Sequence, residues 1–171
     1  MVSVHFRKPF GLATRAKEVT PEAVVASLNL AERVTFDELL EAVTKAHGKP
    51  IRLTEIDSSL MPTVTGLWME KEQVSLILLP AGDTQAHRQH AACHEFGHML
   101  LGHEGCGGAS APFMPSMFKH VGGRRGIKKI LARSLDWNEQ EIAAERIAYL
   151  LSLALLPGEP ESSNSFERTF I

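Results

Sequence analysis

Two histidines four residues apart, with a glutamate directly after the first, are the residues of this chain best equipped for chemistry: His94-Glu95-Phe96-Gly97-His98. On a helix, positions i and i+4 share one face about a turn apart, so both imidazoles can reach a single metal ion. Glu95 is then placed to take a proton from a water that the metal activates. Zinc would lower the pKa of such a water from about 15.7 to roughly 7. The expectation is therefore His94 and His98 as metal ligands and Glu95 as the catalytic base.

A motif this short needs support from its surroundings. The chain has 8 histidines, and those at 87, 90, 94, 98 and 103 fall in one stretch. At about 100° per residue, His87, His90, His94 and His98 form a narrow stripe, with Ala92, Cys93, Phe96 and Leu100 on the opposite side. A histidine face backed by an apolar face is hard to explain by packing alone. The bland alternative is a solvated, histidine-rich helix surface.

A catalytic zinc site requires a third protein ligand. His103 lies nine residues after His94, one short of the ten of the long metzincin pattern, so it is set aside as a ligand. It remains a candidate to contact substrate or cap the helix. Glu141 is favoured: with Ala144, Glu145 and Ala148 it shares a helix face whose alanines allow close approach to the histidine helix. The second carboxylate of that face would orient a ligand histidine. Glu145 and Glu139 stay as alternates for the third ligand. Zinc suits this donor set best, with manganese as the other option. Tyr149, His120 and His103 are candidates to stabilise an oxyanion, and Cys106 to reach the metal as an inhibitory ligand.

The elements that must position these groups can also be read. Thr20-Pro21-Glu22 opens a helix with a cap and a first-turn proline. Thr35 and Glu38 form a capping box for a second helix, which stops at Gly48. Residues 51–55, 63–69 and 74–79 read as strands, and Thr84 caps a long helix that ends at Gly102. The Gly/Pro-containing stretch 104–126 reads as a mobile loop bordering the cleft. Helical pattern resumes over 127–134 and again from Asn138 to Leu156. The fold class expected is α+β: one compact domain, with a small three-stranded, mostly antiparallel sheet packed on helices. A flexible arm at 1–19 and a polar tail at 158–171 would flank a domain at 20–157.

Cys93 faces the apolar side of its helix and reads as core. Trp68 could sit in the core or, with Gly66, Leu67 and the 74–79 strand, border a sheet edge that takes up an extended substrate. Lys119, Arg124, Arg125, Lys128 and Lys129 read as a solvated basic run.

Composition bounds the partners. A net charge of -2 gives no reason to expect direct nucleic-acid binding. Two cysteines supply no disulfide framework, no apolar run spans a bilayer, and the N-terminus lacks a signal-peptide core. The compartment expected is the cytoplasm.

HEFGHMLLGH, then a Gly/Pro-rich stretch, then EIAAERIAYLL, resembles the ImmA/IrrE metallopeptidases of bacteria and their mobile elements. The preceding GLWMEKEQVSLILLPAGDTQAHRQHAA is similar to an actinobacterial branch, and the resemblance covers roughly residues 22–156. It implies a zincin-like fold, ligand roles for His94, His98 and Glu141, and the base role for Glu95. It further implies cleavage of a helix-turn-helix repressor encoded nearby, relieving repression in a stress response or in mobile-element control. Many relatives carry an E-x-E-A-N/D element; here Ala143 stands in place of its second glutamate. Rival readings are a metal-containing regulatory module with little proteolysis, or a toxin–antitoxin component that binds a repressor.

Overall fold

A computed structural model of the chain describes residues 19–61, 64–103, 127–132 (backbone) and 138–155. The arm before residue 19, the 104–126 stretch with Cys106 and His120, and the tail lie outside the described residues.

Local chemistry sets the helix ends. Thr20 caps α1 (Pro21–Ser27), accepting the amide of Ala23. Thr35 and Glu38 make the reciprocal capping box of α2 (Phe36–His47), which stops at Gly48 in the left-handed conformation that glycine adopts without steric cost. Thr84 caps α3 (Gln85–Leu101), the histidine helix. Asn138 caps α4 (Glu139–Ala154), accepting the amides of Gln140 and Glu141.

Four strands form a mixed sheet: β1 (Ile51–Ile56), β2 (Leu67–Lys71), β3 (Ser75–Pro80) and β4 (Ile127–Ala132), in the order β1-β3-β2-β4. β1 runs parallel to β3, whereas β2 pairs antiparallel with both β3 and β4. This is the expected α+β domain with a mostly antiparallel sheet, enlarged by a fourth strand. Three expectations are corrected. Residues 127–132 are strand rather than helix, held by backbone pairing from Leu67↔Ala132 to Lys71↔Ile127. β2 begins at Leu67 instead of 63, and β2 and β3 are interior strands, so neither offers the free sheet edge anticipated for substrate.

Alternation along the strands splits the core in two. Leu53, Trp68, Ile77 and Leu79 face the helices, where they cluster with Phe36, Leu39, Val43, Phe96, Ile147 and Leu151. Leu67, Met69, Leu76 and Leu78 point to the other face and meet Ile56, Met61 and Val64. Trp68 and Cys93 are thus core residues.

α3 lies in the middle of this assembly, with residues 91–99 all buried. It touches β3 on one side and makes its most extensive helix contact with α4. α1 packs on α4, with Arg146 bonded to Glu22 at 2.7 Å. Val34 N–H donates to the Ala154 carbonyl at 2.9 Å, tying the end of α4 to the segment before α2. Among the described residues, no helix is long and apolar enough to cross a membrane.

Candidate metal centre

The site is built where α3 and α4 approach most closely. Gly97 permits this: a Cβ there would lie 2.7 Å from the Ala144 carbonyl oxygen and 2.9 Å from its Cα. Ala144 and Ala148 present the smallest side chains to that contact and are wholly buried. Two backbones that meet at a glycine and an alanine bring the next turns of both helices into register. Glu141, one turn before Ala144, therefore stands over the turn from His94 to His98.

His94, His98 and Glu141 form a buried group that could hold a metal ion, with one donor atom from each lying within 4.8 Å of the others. The Nε2 atoms of His94 and His98 are 3.1 Å apart. Glu141 Oε2 is 3.3 Å from His94 Nε2, and Oε1 is 3.5 Å from His98 Nε2. Exposures are 2% for His94, 1% for His98 and 8% for Glu141, and Glu95 between the histidines is 1% exposed. Charged and polar groups rarely lie this deep without a partner of opposite charge.

Each imidazole is fixed through its other nitrogen. His94 Nδ1 lies 3.0 Å from Glu145 Oε2, and an ionised carboxylate only accepts, so the proton sits on Nδ1. Glu145 Oε1 is in turn 3.1 Å from His90 Nε2, and His90 Nδ1 is 3.4 Å from Ser152 Oγ. His98 Nδ1 lies 2.9 Å from His103 Nδ1. A neutral imidazole that donates from Nδ1, as His94 does, keeps its Nε2 lone pair for the centre. Two such lone pairs beside a carboxylate repel one another unless a positive charge sits among them. The donor set thus fits a cation, and imidazole with carboxylate is the chemistry of transition-metal and zinc sites.

Protons can stand in for a cation among these groups: burial alone would raise the Glu141 carboxyl, but when the His94 and His98 rings are protonated at Nε2, their hydrogen bonds and charge hold it at about 2. Burial, reinforced by His98, pushes His103 down to about 4. Burial raises the Cys93 thiol to about 12, which makes it inert at neutral pH.

Glu95 is positioned from the opposite side. A Cβ on Gly66, just before β2, would come within 2.8 Å of Glu95 Oε1, so the carboxylate occupies space that any other residue would fill.

The remaining candidates fall elsewhere. Glu139 is exposed in the first turn of α4 and Glu145 contacts His94 from behind, so neither joins the group of three. His87 pairs with Asp83 at 3.1 Å on the surface. Tyr149 is 52% exposed, its ring beneath the Arg146 guanidinium. His90 is the residue whose part the sequence reading missed; its i, i+4 relation to His94 was the available signal. Comparison of the chain with protein-family models, curated proteins and solved structures gives no match in any of the three.

Proposed function

We propose that this chain is a zinc-dependent metalloendopeptidase of the ImmA/IrrE type, acting in the cytoplasm on a helix-turn-helix repressor encoded nearby. The observation that carries the reading is the buried convergence of His94, His98 and Glu141, with the Glu95 carboxylate held on the adjoining residue of the same helix. The substrate class rests on the resemblance of HEFGHMLLGH and EIAAERIAYLL to that family.

His94, His98 and Glu141 would hold the metal, zinc in preference to manganese. Bound there, zinc supplies Lewis acidity that polarises the scissile carbonyl and makes water a better acid. Glu95 takes the proton from the attacking water as its oxygen bonds to the carbonyl carbon. It then delivers that proton to the amide nitrogen as the C–N bond breaks. Glu145 and His90 keep His94 in the tautomer this requires.

The test is Glu95→Gln, which retains size and hydrogen bonding and removes basicity. The variant is expected to fold, bind about one zinc per chain and bind the repressor, yet lose about 10²–10⁴-fold in cleavage. Undiminished cleavage by this variant would sink the mechanism. A wild-type protein that binds zinc and the repressor without cutting it would support the regulatory-module reading instead.

A further inference from the structure

We propose that His103 is a positioning residue for the metal centre: it accepts the Nδ1 proton of His98 and so fixes the tautomer and ring angle that direct His98 Nε2 into the site. The inference rests on the metallopeptidase reading above.

Linear spacing hides this role. His103 is five residues beyond His98, and on a continuing helix it would be rotated away from it. The helix does not continue. Gly102 adopts φ 65°, with its amide bonded to the Met99 carbonyl at 3.1 Å, and the His103 amide returns to the His98 carbonyl at 3.0 Å. This pair of bonds is a Schellman turn, which folds the chain back over the last helical turn. The His103 ring consequently stands against the His98 ring, with centroids 5.1 Å apart and planes at 67°. Their Nδ1 atoms meet at 2.9 Å.

A single proton lies between two Nδ1 atoms in that contact. If it belonged to His103, His98 Nδ1 would be the acceptor and a neutral His98 would carry its proton on Nε2, facing the other donors. Ligation by Nε2 therefore requires His98 to donate and His103 to accept, with the His103 proton on its own Nε2. The two ligand histidines end up with unlike partners: the Glu145 carboxylate behind His94, a neutral imidazole behind His98.

Two variants of the full-length chain separate this hydrogen bond from simple packing. In His103→Ala the acceptor is lost; in His103→Asn the side-chain oxygen can take the place of Nδ1. Zinc affinity, measured by competition with a chromogenic chelator, is expected to fall about 10–100-fold in His103→Ala and to return to within a few-fold in His103→Asn. In the zinc-loaded protein, the slowly exchanging ring N–H of His98 seen by nitrogen-15 NMR should vanish in the first variant and reappear in the second. Wild-type zinc affinity in His103→Ala, or equal losses in both variants, would overturn the role of His103 alone. Failure of the wild-type protein to take up zinc would overturn the metallopeptidase reading along with it.

Discussion

Glu141 and Glu145 are chemically identical and one helical turn apart, yet their surroundings assign them different work. Glu141 lies among both Nε2 atoms, whereas Glu145 bridges His90 to the far side of His94. Because α3 and α4 each repeat at i, i+4, every carboxylate falls between two successive imidazoles: Glu145 between His90 and His94, Glu141 between His94 and His98. Removing the Glu141 carboxylate strips the anionic donor, so Glu141→Ala is expected to lose nearly all bound zinc at micromolar protein. Glu145→Gln leaves the donors intact and weakens only the hold on His94, an expected loss of about 10–100-fold in affinity. Glu139→Ala should match the wild type. Metal analysis together with chelator competition checks the series; equal losses in Glu141→Ala and Glu145→Gln would remove the distinction. The convergence of His94, His98 and Glu141 was legible because both repeats are written in the sequence at helical spacing. The place of His103 was not, since it depends on a chain reversal at Gly102 that no periodicity encodes.

Close helix approach has its own vulnerable point. Alanine is a better helix former than glycine by about 1 kcal/mol, so Gly97→Ala ought to help an isolated α3. Here the added methyl meets Ala144 backbone atoms at 2.7–3.2 Å, and backbone cannot rotate aside as a flexible side chain would. Overpacking of this kind costs about 1–3 kcal/mol, so it outweighs the propensity gain. Gly97→Ala is expected to lower the denaturation midpoint and to weaken zinc binding, because α4 carries Glu141 away with it. A variant as stable as the wild type with full zinc affinity would refute the contact. Capped helices were readable for a related reason: Thr20, Thr35 and Thr84 act within three residues of themselves. β4 was misread because Ile127, Ile130 and Leu131 sit at i, i+3, i+4, a helical template, while its actual partners lie in distant β2. Long-range backbone pairing overrides a local pattern that no sequence window can weigh against it.

Across the molecule, His47 joins the end of α2 to the sheet through Ser75 Oγ at 2.8 Å and an edge contact with Trp68. Burial lowers its pKa from the ordinary 6.5, with Glu70 opposing and Lys49 assisting the shift. The unfolded chain therefore takes up this proton first as pH falls. Its contribution to stability is complete above pH 6.5 and is lost on descent toward the lowered folded value. Wild type relative to His47→Gln, which cannot titrate, should thus lose stability on acidification below that point; parallel stability–pH curves for the two would exclude the effect. A second consequence concerns the order of events in folding. The metal donors lie on α3 and α4, and α4 is held in place by α1 and by the Val34–Ala154 hydrogen bond, so the donor set is complete only after these remote parts have docked. A metal ion bound there would stabilise contacts that are complete only in the assembled protein. Stopped-flow measurements should find the unfolding limb slowed by zinc and the refolding limb nearly unchanged, which makes the ion a latch on an assembled protein rather than a template for its assembly.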